Sequence, residues 1–287
     1  MVIIRIWEGL GNQMFQYAYA RALKEKGIDV RLDMDKSFDD MFAKYKNHAQ
    51  RNNSIQNFRL SIPSIEMSQY EKYNYIKQDT AVRKAVFWLG SHSLWRYRFY
   101  EEKVQAYSAK SARIRGNCYV KGWFQSEQYF KNIRAILLKE FMPRKKICIS
   151  KRIKEALESP QSVSVHIRRG DYVRIRQELG RAYFRQAIEY MKQVYTDPVF
   201  LIFSDDLAWV KRNMEINGRY CYVNDEGRLK DYEELFIMSR CRSNIISNST
   251  FSWWAAWLNP NKEKTVIAPR KWMETQGQII PDEWTVL

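Results

Sequence analysis

The run HIRRGDYV (166–173) carries the strongest chemical signal in the sequence, two adjacent guanidiniums beside a histidine and an aspartate. SVSVHIR (162–168) reads as a strand, in which His166 and Arg168 share a face. Arg169, Gly170 and Asp171 follow as the chain leaves the sheet. A guanidinium binds phosphate oxygens bidentately, so Arg168 and Arg169 at a strand end suit a phosphate. The plainer reading is an Arg–Asp pair that ties down a loop. SNSTFS (247–252) offers a second anion site, because it joins a strand to a helix. Its hydroxyls and amides lie at the positive, N–H-rich end of that helix. Here the plainer reading is N-capping by Ser247 or Ser249. Two such sites on one sheet suit a pyrophosphate better than either does alone.

Other groups are weaker. Ser204, Asp205 and Asp206 close another candidate strand. Glu233 or Glu234, on the helix before SNSTFS, could accept N1–H and N2–H from a guanine edge, or could be a solvated pair. GLGNQ (9–13) sets Gly9 and Gly11 where a backbone must approach a ligand closely, with the amides of Asn12 and Gln13 beside them. It is not G-x-G-x-x-G, so no dinucleotide fingerprint is present. Asp33-x-Asp35 and Asp205-Asp206 are the candidate metal carboxylates, and an aspartate capping the following helix explains both as well.

These groups need a frame. VIIRIW (2–7), an amphipathic helix ended by Gly27, and DVRLD (29–33) form a βαβ unit. Residues 36–116 are polar, basic and rich in Tyr, Trp and Arg. CYVKGWF (118–124) reads as a strand and SEQYFKNIRAILLKEF (126–141) as a helix. The composition changes at PRKKICISKR (143–152), which divides a domain of residues 1–148, with a helical insertion over about 36–116, from one of 149–287. In the second, strands at 162–168, 199–204, 219–223, 244–247 and 265–269 alternate with helices at 181–195, 231–241 and 249–258. That alternation predicts an α/β fold with a parallel sheet covered on both faces, whose ligands sit beyond the carboxyl ends of the strands.

The chain has 287 residues, 45% hydrophobic and 28% charged, which fits a globular protein and excludes a disordered or fibrous one. Four cysteines without a C-x-x-C argue against a zinc ribbon or a disulfide scaffold and fit a reducing compartment. No stretch reaches the roughly 18–20 apolar residues that span a bilayer, and Arg5 interrupts any signal-like start, so the expected location is the cytoplasm. Residues 1–150 hold 27 basic and 14 acidic residues, against 21 and 18 in residues 151–287. The basic excess, including Lys44, Lys46, Arg83, Lys84, Arg96, Arg98, Arg113 and Arg115, could meet an anionic membrane, a nucleic acid or only water. No nucleic-acid motif accompanies it.

Taken together, GLGNQMFQYAYARAL, HIRRGDYV and NIISNSTFSWWAAWLN resemble the α-1,2-fucosyltransferases of glycosyltransferase family 11, in order and spacing, from Val2 to about Asn259. The resemblance implies a GT-B-like architecture, two Rossmann-like domains facing a cleft. It implies inverting transfer of L-fucose from GDP-β-L-fucose to the 2-hydroxyl of a terminal galactoside, with no required metal or other cofactor. The acceptor would be a galactose-terminated oligosaccharide or lipid-linked glycan in surface-glycan synthesis, reached by possible peripheral contact with the inner membrane face; nucleic acid is not an expected partner. By position, Arg168 would hold the β-phosphate, with His166 near ribose and guanine, and Arg169 and Asp171 shaping the loop. Ser204 and Asp206 join the donor side, and Ser249, Thr250, Phe251 and Ser252 would hold the diphosphate. Glu234 would read guanine. Gly11, Asn12 and Gln13 would face the acceptor, with Asn12 and Asp171 joining Arg168 in the catalytic set. One departure stands out: the family usually opens its first motif with two glycines, and the first is here Glu8. Two other readings stay open, a metal-dependent transferase using Asp33-x-Asp35 and a non-catalytic glycan- or nucleic-acid-binding protein.

Overall fold

A computed structural model describes residues 1–35, 53–66, 98–102, 106–225, 227, 229–272 and 279–287. Most of the expected insertion, 36–116, lies outside the described residues, as do Lys44, Lys46, Arg83, Lys84 and Arg96. The chain divides into two compact units between Phe141 and Met142.

The first unit starts with β1 (Val2–Arg5), whose four residues are all buried, followed by α1 (Leu10–Glu25) and β2 (Val30–Asp33). With β3 (Arg98–Glu101) and β4 (Cys118–Lys121) they form a parallel sheet of order β2-β1-β4-β3. Both faces of a parallel sheet are covered, which is why β1 opens with the apolar run Val2–Ile4 before Arg5. In α1 the apolar residues Phe15, Ala18, Tyr19, Ala22 and Leu23, spaced as one face of a helix, are buried.

Two expectations in this unit are corrected. The strand read over 118–124 stops at Lys121. A Cβ on Gly122 would lie 2.5 Å from the Glu102 Cβ and 2.7 Å from the Phe124 ring, and Phe124 itself takes a left-handed φ of 51°. The helix read over 126–141 is two 3₁₀ turns, Glu127–Tyr129 and Lys131–Ile133, before α2 (Arg134–Glu140). Phe130 leaves the helical region at φ −142°, and its ring sits 5.9 Å from that of Phe15 in the core. Tyr129 is likewise drawn aside, its hydroxyl accepting from the Ser108 amide at 2.7 Å. Tertiary packing here outweighs helical periodicity.

The second unit holds α3 (Lys151–Glu158), β5 (Ser162–Ile167), α4 (Gly170–Arg174), α5 (Arg181–Val194), β6 (Val199–Ser204), α6 (Leu207–Asn213) and β7 (Arg219–Tyr222). It continues with α7 (Asp231–Arg240), β8 (Ser243–Ile245), α8 (Thr250–Leu258), β9 (Val266–Ala268) and β10 (Thr285–Val286). The sheet is parallel, of order β10-β9-β8-β5-β6-β7. Strand order therefore reverses between β5 and β8, and crevices at such reversals are where ligands of open α/β sheets bind. α8 is apolar on all sides, and its Trp253, Trp254 and Trp257 pack with each other in the core, where Trp284 meets Trp253. Much of the tryptophan is thus structural. Each unit has the parallel α/β organisation of a Rossmann-like domain, as a GT-B enzyme requires. The four cysteines are unbridged. Among the described residues no helix is long and apolar enough to cross a membrane.

Candidate active site

The carboxyl ends of β5, β6 and β8 are neighbours in the second sheet, so HIRRGD, SDD and SNSTFS meet at one edge. Ser247 fastens two of them: its hydroxyl donates to the His166 carbonyl at 2.7 Å and accepts from the Arg168 amide at 3.0 Å.

Arg168 is not a bare cation awaiting an anion. Its Nη2 lies 2.7 Å from Asp171 Oδ1 and its Nη1 2.9 Å from Asp205 Oδ2, while its buried Nε has no hydrogen-bond partner among the described residues. The Arg–Asp pairing that competed with phosphate binding in the sequence is thus present. It leaves N–H groups on both terminal nitrogens beyond those the carboxylates use, since the guanidinium carries five donors. Arg169 stacks 3.5 Å from the Trp209 ring centre and reaches Asp206 at 3.5 Å. Two guanidiniums therefore sit among three carboxylates, and the sheet edge is a held constellation rather than a cationic patch.

Asp205, which the sequence offers only as half of an acidic pair, is joined to both arginines of HIRRGD. It accepts from the Arg169 amide at 2.8 Å as well as from Arg168. A Cβ on Gly170 would lie 2.6 Å from its Oδ2, so glycine there is needed for the close approach. Asp206 has the capping role that competed with metal binding, accepting from the Trp209 amide at 3.0 Å, and Ser204 Oγ accepts from the Asp206 amide at 3.0 Å. Both are occupied in holding the β6–α6 turn.

His166 is buried, with its ring 5.4 Å from that of Phe251. Burial, then the Arg168 charge, push its pKa down to about 3, so the imidazole is neutral. Its Nδ1 has no hydrogen-bond partner among the described residues, nor does Asn248 Oδ1. Buried polar atoms left unpaired are uncommon, and three of them (with Arg168 Nε) lie at this one sheet edge.

Ser249 caps α8, accepting from the Phe251 amide at 3.4 Å. The amides of Thr250, Phe251 and Ser252 are the first three of the helix, which no intrahelical carbonyl can satisfy. Ser252 contributes only that backbone group, because its side chain is fully buried and donates to the Ser249 carbonyl at 3.3 Å. Glu234 lies on α7 and accepts from Asn224 Nδ2; burial pushes its carboxyl up to about 7. Glu233 instead caps the start of that helix, accepting from the Lys230 amide at 2.8 Å.

In the first unit GLGNQ is not a loop. Gly9 is the N-cap of α1, and Gly11, Asn12 and Gln13 form its first turn. Gln13 is corrected from an acceptor-facing group to a brace: it is fully buried, donates to the Glu8 carbonyl at 2.6 Å and accepts from the Ile55 amide at 3.2 Å. Gly11 is buried and Asn12 is half-buried. Asn12 Nδ2 donates to Glu8 Oε2 at 2.9 Å, and its Oδ1 accepts from Gln125 Nε2 at 2.9 Å. Asp33 is buried, accepting from the Tyr119 hydroxyl at 2.7 Å and the Asp35 amide at 3.2 Å. Both contacts lie within the first unit.

Comparison with known proteins adds a family. The description "Glycosyl transferase family 11" matches residues 1–286. The chain is similar to an alpha-1,2-colitosyltransferase of Escherichia coli, 33% identical over 99% of this chain and 98% of that one. It is also similar to the O-antigen biosynthesis glycosyltransferase WbnK of Escherichia coli, 29% identical over 96% and 97%. A third relative is the galactoside 2-alpha-L-fucosyltransferase Sec1 of Mus musculus, 26% identical over 90% of this chain and 64% of that one.

Proposed function

The chain belongs to glycosyltransferase family 11, and from that premise we propose that it transfers L-fucose from GDP-β-L-fucose to the 2-hydroxyl of a terminal galactoside, with inversion at the fucose C1. The product would be an α-1,2-linked surface glycan. That the chain is an enzyme, a glycosyltransferase of the fucosyltransferase type, follows from the family. The observation that carries the finer reading is the edge where Arg168, His166, Asn248 and the first turn of α8 converge with unpaired polar atoms.

The chemistry follows from charge. As the glycosidic bond breaks, negative charge collects on the leaving GDP. A guanidinium and a helix N-terminus aimed at the diphosphate stabilise that charge in place, the task a divalent metal performs elsewhere. Asp171 and Asp205 fix the Arg168 fork, so little reorganisation is needed when the charge appears. The neutral His166 adds a polar group without a second positive charge.

The test is transfer to a panel of β-galactosides with the linkage read by NMR, run with and without EDTA. Product carrying an α-1,2 fucose is expected, and turnover in EDTA should stay within about twofold, because no step is assigned to a metal. Activity that vanishes in EDTA and returns with Mn²⁺ would sink the metal-free reading. The similarity to a colitosyltransferase favours one rival donor. Colitose is fucose without its 3-hydroxyl, so GDP-fucose and GDP-colitose should be compared by kcat/KM. A site that hydrogen-bonds the 3-hydroxyl rejects the deoxy sugar by about 10⁴-fold or more, whereas one that ignores it does not.

Glu234 makes a separate prediction. Its carboxyl is largely protonated below about 7 in the free protein. If it accepts two guanine N–H groups it must ionise, so GDP binding releases a proton below that pH. Affinity for GDP should then rise about tenfold per pH unit on approaching 7 and level off above it. Glu234→Gln should lose that part of the slope and leave only the titration of the GDP phosphate. Calorimetry across pH 5.5–8 on both proteins decides it, and identical slopes would remove Glu234 from guanine recognition.

A further inference from the structure

The carboxyl edge of the first sheet carries an arrangement that the sequence does not announce. β1 and β4 run side by side in parallel, with Val2 opposite Cys118 and Ile4 opposite Val120. Continued past the strand ends, that register sets Trp7 opposite Trp123 and Glu8 opposite Phe124. The first of these matches is a ring contact. The Trp7 and Trp123 rings lie 4.5 Å apart at 42°, and each residue is half-buried. Glu8 and Phe124 both hold left-handed backbone, with φ of 65° and 51°.

Such a φ costs a non-glycine residue about 1–2 kcal/mol, and strain of this kind collects where a site needs its side chain. The Glu8 carboxylate holds Asn12, which holds Gln125, so a polar chain runs from Glu8, the residue after Trp7, to Gln125, two residues after Trp123. Trp7 Nε1 is buried without a hydrogen-bond partner among the described residues. Lys121 Nζ stands 5.0 Å from the Trp7 ring centre and pairs with Glu101 at 3.3 Å.

An indole pair beside a row of carboxylate and amides matches a pyranose. One face of galactose presents C–H groups, which pack on an aromatic ring, while its rim presents hydroxyls that need donors and acceptors in fixed places. We propose that Trp7 and Trp123 form the stacking platform, and Glu8, Asn12 and Gln125 the hydroxyl-reading rail, of a saccharide subsite that binds the galactoside acceptor. The proposal rests on the acceptor class given above, and it lies wholly within the first unit.

Binding and turnover are read separately on the full chain. Saturation-transfer NMR with lactose, without donor, should show galactose protons receiving magnetisation from the wild type and little from Trp123→Ala. In transfer assays Trp123→Ala should raise the acceptor KM about tenfold or more, the effect of losing roughly 1.4 kcal/mol of contact. The KM for GDP-fucose should stay within about twofold, since no donor contact is assigned to these residues. Glu8→Gly guards against a folding artefact, because it relieves the backbone strain: it should keep or raise the melting temperature while weakening lactose. Equal saturation transfer in wild type and Trp123→Ala, or no transfer to lactose in the wild type, overturns the subsite. Absence of any fucosylated product while lactose binding persists would instead overturn the functional reading and leave the subsite standing.

Discussion

Replacing Arg168 by alanine is expected to slow transfer by about 10²–10³-fold, equivalent to a rise of roughly 3–4 kcal/mol in activation free energy. The guanidinium is the cation that Asp171 and Asp205 hold at the carboxyl end of β5. Its charge matters most when the diphosphate departs, so kcat should fall more than the affinity for GDP-fucose. The fold should survive, because the side chain is a quarter exposed and the two carboxylates it leaves can hydrate. Arg168→Lys keeps the charge but cannot grip both aspartates, so it should recover only part of the loss. Circular dichroism and steady-state kinetics on the three proteins are sufficient. A value of kcat within tenfold of wild type, with native circular dichroism, would take Arg168 out of the site.

That Arg168 stands here was legible from HIRRGD, since a strand followed by two arginines leaves few other places for them. Much of the second unit was legible for the same reason. VFLIFS is a near-continuous apolar strand, as a parallel sheet covered on both faces requires, and SVSVHI, in which small serines alternate with valines, is buried along its whole length. What local pattern cannot carry is adjacency between distant segments. Asp205 looked like half of an acidic pair, yet its function is set by β6 lying beside β5, which delivers its carboxylate to Arg168 and to the Arg169 amide. A strand-end acid next to a strand-end arginine was the available signal, had the strand order been known. The pairing of Trp7 with Trp123 is more remote still, since it depends on the register of β1 against β4. Helical periodicity also misled over 126–141, where Tyr129 and Phe130 are fixed by partners elsewhere in the core. Gln13 was misplaced because a polar residue beside a glycine turn resembles a ligand contact, whereas both ends of its amide are used inside the fold.

Asn12 is the residue for which that distinction has the largest consequence. Its amide is held from both sides, by Glu8 and by Gln125, so its orientation is set before any substrate arrives. Pre-set polar groups lower the barrier by removing the search for geometry, and misplacing one can cost about 10²-fold. Asn12→Ala is therefore expected to lower kcat by about that factor. It should leave GDP affinity within about threefold, since the groups assigned to the nucleotide belong to the second unit. Asn12→Asp sharpens the case, because it turns the contact with Glu8 into two carboxylates facing each other. It should lose as much activity as alanine at pH 8 and regain some as acid returns a proton to the pair. Calorimetry with GDP, turnover with GDP-fucose and thermal melting separate the outcomes. A fall in kcat with unchanged GDP affinity and unchanged melting places Asn12 at the reacting end of the acceptor. Equal losses in kcat and GDP affinity would assign it to the nucleotide, and a large drop in melting temperature would make it a brace of the α1 N-terminus like Gln13.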